Sequence, residues 1–436
     1  MVKELQSRAC AQATHPARLP VLTATVSRWL VLLVCALLPM SYSAIAAEPA
    51  RVLAAPSRAP YTPASEGEIL QKVPSAADTA MREIDALRTR LNADPANFTV
   101  ADALARDYIE YGRTVGDARY MGYAEAVLAP WLGKSAPPVS ALVQQATILQ
   151  YRHEFAAART TLQRALKASP RNTQAWLLLA SLDMLQGDLR SAADDCSQVA
   201  RTGGIAVGLA CTANLRSYTG QAEQSLGLLA QIDVDTAKMP ASFRAWVQGL
   251  QAESAERLGQ WNKAEAHYRR ALALTPDDNF LLVAYADFLL DRGRPKEVLA
   301  LLKDFAESDT TFFRLALAHA ALRSPEADRY AWIMAARFAA YSVRGTEFYG
   351  RERARFVLHL QRDPLAALEL ATRNWEVQRA PQDVRVLLEA AQAAGKPKAA
   401  LPVLAFLRQT GLQDPFIEPL ARDIEAQINR RPGSGP

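Results

Sequence analysis

Cysteine and histidine are scarce in this chain, with four and five among 436 residues. No His-Glu-x-x-His and no Cys-x-x-Cys occurs, so neither common zinc arrangement is available. His153-Glu154 begins like a zinc-protease helix, but Ala157 stands where the second histidine belongs. His267, His319 and His359 stand singly in helical sequence and read as packed or half-exposed side chains. Charge of one sign is also lacking, at 50 Lys and Arg against 45 Asp and Glu. Four of those bases and one acid precede Glu48, which leaves 46 against 44. So even a balance excludes a nucleic-acid footprint as the main function. Twenty glycines and 25 prolines without a period exclude a collagen, and 50% hydrophobic residues exclude a disordered chain. No apolar run approaches the roughly 20 residues a transmembrane helix needs.

Alanine is abundant at 82 residues, which favours helix. The longest apolar run, Trp29–Met40, follows Arg28 and precedes Ser43-Ala44-Ile45-Ala46-Ala47. A positive flank, a short apolar core and small residues form the secretory pattern, with cleavage after Ala46 or Ala47. Residues 1–47 are therefore expected to be a signal peptide, or an anchor if uncleaved. Export places the chain in an oxidising periplasm. Cys10 and Cys35 leave with the signal, so Cys196 and Cys211 form either a disulfide or two buried thiols. Residues 48–75 are Ala- and Pro-rich without periodicity and read as a linker. Residues 431–436 read as a frayed tail.

Between linker and tail the sequence repeats. Gly187, Gly259, Gly293 and Gly395 each end an apolar helical run. The step from Gly259 to Gly293 is 34 residues, and Gly293 to Gly395 is three such steps. Ala146, Ala180, Ala213, Ala252, Ala286, Ala320 and Ala354 keep one register before the turns. After the turns come Ala158, Ala192, Ala264 and Ala366, then Leu162, Cys196, Tyr268 and Leu370 four residues later. Small residues let two helices approach, a large one fills the next gap, and glycine supplies the left-handed turn.

These residues resemble the tetratricopeptide repeat family. The likeness is densest from Trp176-Leu177-Leu178-Leu179-Ala180 to Ala192, from Gly259 through Tyr268 to Pro276, and from Tyr285-Ala286 to Gly293. It is specific over 139–304 and fades where Trp332 and Arg373 replace small residues. The resemblance implies an all-α, right-handed superhelical solenoid of about eight helical pairs within 76–430. One hairpin cannot bury its own apolar face, so such an array is held together by stacking. In this arrangement Cys196 and Cys211 fall on helices that pack together.

Nucleophile and phosphate motifs fail inspection. Gly133-Lys134-Ser135 lacks the first glycine of a phosphate loop, since Leu128 occupies its place, and Pro137-Pro138 blocks the following helix. No G-x-S-x-G elbow appears, and the adjacent carboxylates Asp194-Asp195 and Asp277-Asp278 diverge on a helix. No catalytic residue, metal site or cofactor is therefore assigned. What remains is surface. The resemblance puts the first helix of each pair on the concave groove and suggests Tyr151, Gln174, Trp246, Glu253, Arg257, Phe280 and Asp287 as partner-binding residues. Trp246 and Phe280 are either apolar anchors there or core residues. A second stretch, Arg344, Arg351, Arg353 and Arg355 with Tyr341, Phe348 and Tyr349, reads as a solvated face or a site for anionic partners.

The function expected is a non-enzymatic periplasmic scaffold that binds a protein or peptide of the envelope, with no nucleic acid. Its rivals are a membrane-tethered regulator that keeps its anchor, and an enzyme with a site in the groove.

Overall fold

The structure is a computed structural model that describes residues 79–232, 239–343 and 350–430, together with Ser65. The expected leader, most of the linker, the tail, and Arg344, Phe348 and Tyr349 lie outside the described residues. The described residues contain helices and no strand. None of these helices is long and apolar enough to cross a membrane.

After α1 (Thr79–Ala93) the chain forms consecutive antiparallel pairs. They are α2 and α3 (Phe98–Val115, Arg119–Leu132), α4 and α5 (Val139–Tyr151, Phe155–Ala168), and α6 and α7 (Thr173–Gln186, Leu189–Gly203). Next come α8 and α9 (Ile205–Tyr218, Ala222–Ala230), α10 and α11 (Ala241–Arg257, Trp261–Leu274), and α12 and α13 (Asn279–Asp291, Pro295–Leu302). The last pairs are α14 and α15 (Asp309–Ala321, Ala327–Val343), α16 and α17 (Gly350–Phe356, Pro364–Val377), and α18 and α19 (Pro381–Ala393, Leu401–Thr410), closed by α20 (Ile417–Asn429). This is the all-α solenoid of stacked hairpins, with nine pairs among the described residues rather than eight.

The turn register explains both the match and its fading. A left-handed residue follows each first helix: Gly116, His153, Gly187, Gly220, Gly259, Gly293, Arg323, Arg362 and Gly395, with φ between 49 and 78°. The interval from Gly293 to Gly395 hides two turns made without glycine, and they fall at Arg323 and Arg362, not at even steps. Ala320 is consequently out of register, and Ala316, 0% exposed, holds the close-packed position. A π-helical turn at Val357–Gln361 adds one residue before Arg362. Ala354 therefore stays buried before that turn, whereas Ala367 and Ala371 take the fully buried positions after it and Ala366 and Leu370 are only partly buried. In the middle of the array the expected positions hold: Ala146, Ala180, Ala213, Ala252 and Ala286 are buried, as are Ala158, Ala192 and Ala264.

Cys196 on α7 and Cys211 on α8 are joined by a disulfide, with Cα atoms 5.5 Å apart. The bond staples neighbouring pairs inside a small cluster with Ala180, Met184, Val199 and Leu215.

Beside it lies a buried polar group. Arg159 of α5 donates to Asp183 of α6, and to Gln186 Oε1 at 2.9 Å. Asp195 of α7 leans on the same Asp183, and burial first, then that carboxylate, push the Asp195 carboxyl up to about 7. A proton bound more tightly in the folded state stabilises it most below the unfolded value of 3.8, and that contribution disappears as pH rises to about 7. Unfolding free energy is thus expected to fall between pH 4 and pH 7, and Asp195→Asn, which keeps a donor toward Asp183, should flatten that slope. Urea titrations at each pH check it; an unchanged slope in the variant would assign it elsewhere.

Candidate functional site: the edge formed by the first helices

The C-terminal ends of the first helices α4, α6, α8, α10 and α12, with the turns that follow them, form one edge of the array. Helices α16 to α20 of the same chain lie on it. The Arg379 amide, between α17 and α18, donates to the Leu185 carbonyl of α6 at 2.7 Å. Gln378 Nε2 donates to His153 Nδ1 at 3.0 Å. Phe416 packs on Trp261 at 5.7 Å. A Cβ on Gly187 would sit 3.0 Å from Phe406 and from Arg379.

The closest approach is between turns. A Cβ on Gly220, where φ is +67°, would stand 2.1 Å from the Gly411 carbonyl oxygen. Gly293 has the same φ and nothing within 4 Å of its Cβ position. Gly293→Ala is therefore expected to cost about 1–2 kcal/mol, the left-handed penalty alone. Gly220→Ala adds a backbone clash and should cost clearly more in the same denaturation assay. Equal costs would mean that α19 and α20 do not press on this turn.

Ion pairs dominate the rest of the edge. Asp287 of α12 accepts from Arg314 Nη2 at 2.7 Å and from Arg355 Nη2 at 3.1 Å. Burial pushes its carboxyl up, yet the two guanidiniums prevail and hold it well below the usual carboxylate range. One turn later Asp291 takes a bidentate pair from Arg385 of α18, at 2.6 and 2.8 Å. Here burial outweighs the guanidinium, and the Asp291 carboxyl is raised. Arg385 also donates to Glu389 at 2.7 Å and lies over the Phe416 ring at 4.9 Å. Glu352 is held at about 2: burial opposes the charge, but Arg351, Arg314 and Arg355 surround it. His153, left-handed at φ 60° and stacked on Phe155, is pushed down to about 4 by burial. Its imidazole is thus a neutral acceptor at neutral pH.

The seven residues suggested for a groove divide between the two ends of their helices. Glu253, Arg257 and Asp287 lie toward the occupied edge. Arg257 donates to Ser217 Oγ, faces Glu253 at 3.7 Å and covers the Tyr218 ring. Burial raises the Glu253 carboxyl and pushes the Tyr218 hydroxyl up to about 12. Tyr151 ends α4, half-buried against the first cluster of the array. The other three sit at the opposite end. Gln174 is exposed on the first turn of α6, and Phe280 on the first turn of α12 is 63% exposed. Trp246 is half-buried beside Leu209 and Phe243, and meets Phe243 edge-on at 5.8 Å.

The arginine stretch is a correction. Arg351 and Arg355 form no solvated face: they pair with Glu352 and Asp287 where α16 meets the array, because α16 turns this side inward. Tyr341 donates to Asp309. Sequence reasoning passed over Asp291, Arg385 and Gln378, and weighed His153 only as the start of an incomplete zinc motif. Asp287 and Asp291 share a helix face by their spacing of four, the one signal that was legible. Their partners lie 68 and 94 residues away. Among the described residues no group of His, Cys, Asp and Glu is placed to hold a metal.

Residues 245–278, which span most of α10 and all of α11, match the family model of the tetratricopeptide repeat. No curated relative matches the chain. Among solved structures it is similar to PilW, a widely conserved type IV pilus biogenesis factor, at 14% identity. That match covers 65% of this chain and 97% of the other, with a TM-score of 0.32. A tetratricopeptide repeat protein from Parabacteroides merdae is 13% identical over 71% of this chain and 99% of its own, with a TM-score of 0.33. Human IFIT1, solved as a dimer with PPP-AAAA, is 13% identical over 76% of this chain and 78% of its own, with a TM-score of 0.43. Residues 245–278 thus form one tetratricopeptide repeat, and the helical pairs on either side of it share its hairpin, its left-handed turn and its small-residue packing.

Proposed function

We propose that the chain is an exported, non-catalytic scaffold of the cell envelope that binds a protein or peptide partner. The carrying observation is apolar surface left uncovered near the N-terminal ends of successive first helices. Ile205 on α8 is 81% exposed, Phe280 on α12 is 63% exposed, and Trp246 stands half-buried on α10 between them. Large side chains at a helix end do little for the fold when exposed, and aromatic anchors of this kind carry much of the energy of protein interfaces. The Cys196–Cys211 disulfide supports an oxidising compartment.

The test is crosslinking capture from the periplasm with the tagged full chain. Trp246→Ala with Phe280→Ala should abolish capture of a reproducible partner while the melting temperature stays within a few degrees. A large fall in melting temperature would place both rings in the core instead. Mass spectrometry of the recovered N-terminus should find cleavage after Ala46 or Ala47; an intact leader in a detergent-extracted fraction would favour a tethered protein.

A further inference from the structure

The near-even charge of the chain hides a sorting between the two ends of its first helices. At the C-terminal ends lie the carboxylates Asp183, Glu253, Asp287 and Asp291, each facing an arginine of the same chain. The opposite edge is made by the N-terminal ends of the first helices and the C-terminal ends of the second helices before them. There the charge has one sign. Lys167 stands in the last turn of α5, Arg171 between α5 and α6, Arg201 in the last turn of α7 and Arg244 in the first turn of α10. The ion pairs of α5 and α10 are made by Arg159 and Arg257 instead, and none of the four cations enters one among the described residues. The Arg244 Nε is buried without an acceptor. Residues 165–176, 198–209 and 239–247 hold no aspartate or glutamate.

The helix ends add to that sign. None of α4, α6, α8 and α10 carries an acid in its first turn, and α4, α8 and α10 begin without a side-chain cap. Their first amides and positive dipole ends are compensated by no side chain. The surface is continuous from α6 to α10: Gly203, closing α7, leaves no room for a Cβ against Thr173 of α6, and Trp246 shares an apolar cluster with Leu209 of α8. Among the cations stand Ile205 and Trp246, the apolar surface described above. The sign changes at α12, where Asp277 and Asp278 precede the exposed Phe280.

We infer that this edge receives an extended acidic segment of the protein partner, with large apolar side chains set between its aspartates or glutamates. The inference rests on the scaffold reading and adds the chemistry of the partner. A purely apolar partner would strip water from Arg171, Arg201 and Arg244 and return nothing to them. A basic one would be repelled by the cations and the helix ends alike. Neighbouring first helices stand roughly 8–10 Å apart, which an extended chain at roughly 3.3 Å per residue crosses in about three residues. An apolar side chain at every third position therefore meets Ile205, Trp246 and Phe280 in turn. The acids between them lie over α6 to α10, and the last anchor reaches Phe280 beyond the cations.

Fluorescence anisotropy of the full chain with a labelled nonapeptide of repeating Leu-Glu-Glu, blocked at both ends, tests this. Binding is expected, weakening about tenfold as ionic strength rises from about 0.05 to about 0.5 M. Repeating Leu-Lys-Lys and Ser-Glu-Glu peptides should bind at least about tenfold more weakly, the first for its charge and the second for its missing anchors. Arg171→Glu with Arg201→Glu should weaken the Leu-Glu-Glu peptide about tenfold while the melting temperature holds, since both side chains are exposed. Arg190→Glu with Arg216→Glu, exposed at the other edge, should leave its affinity unchanged. Equal binding of the Leu-Lys-Lys peptide, or an affinity that survives the Arg171 and Arg201 reversals, would overturn the inference. So would the absence of peptide binding; if phosphatidylglycerol vesicles then sediment the native chain and not that variant, the cations serve a membrane surface instead. Partner capture lost in Trp246→Ala with Phe280→Ala but kept in Arg171→Glu with Arg201→Glu would remove the acidic partner and leave the scaffold reading standing.

Discussion

Arg314→Met is expected to lower the unfolding free energy by about 3–5 kcal/mol, the cost of breaking a buried ion pair from one side. The side chain keeps only 2% of its surface, and it holds Asp287 through both Nε and Nη2. Methionine fills much of the volume but leaves Asp287 with Arg355 alone, and Glu352 loses a cation 3.5 Å away. The comparison is Arg385→Gln, at a side chain that is 30% exposed and whose loss water partly compensates. That variant should cost about 1 kcal/mol. Urea denaturation of the two proteins measures the contrast. Adding Asp287→Asn to Arg314→Met should recover part of the loss, since the stranded charge goes with its partner. A cost below 1 kcal/mol for Arg314→Met would mean that water reaches Asp287 from within the array.

The same residues show how far the sequence could be read. Where turns are made by glycine the period is visible, and the alanines that precede Gly187, Gly220, Gly259 and Gly293 are buried as their register requires. Arg323 and Arg362 turn the chain without glycine, and a shortened repeat followed by a lengthened one, of which the π-helical turn is only a part, restores the sum while shifting everything between. Spacing alone cannot reveal compensating errors of that kind. Helical periodicity also says which residues share a face, but not what covers it. Glu253, Arg257 and Asp287 were correctly placed on first helices, yet the occupant of their edge depends on where the chain returns, and Gln378 meets His153 from 225 residues away. Arg351 and Arg355 read as surface for the same reason: a charge run looks solvated until its carboxylates arrive from another helix.

Reducing the Cys196–Cys211 bond is expected to cost about 3 kcal/mol, the entropy an unfolded loop of about 15 residues regains when it is opened. The sequence separation is 15. Both sulfurs are buried, so the folded state loses little packing when the bond opens and the effect falls on the unfolded chain. Cys196→Ala with Cys211→Ala should therefore cost somewhat more than reduction, because two small cavities join the lost constraint. The bond ties α7 to α8, where the cluster around it is small and the adjoining layer spends interior space on Arg159, Asp183 and Asp195. A covalent staple contributes most where burial contributes least. If urea midpoints with and without reductant coincide, the staple adds no stability and the pair acts as two small apolar side chains. If they separate as expected, the reduced chain would hold its third and fourth pairs together least well.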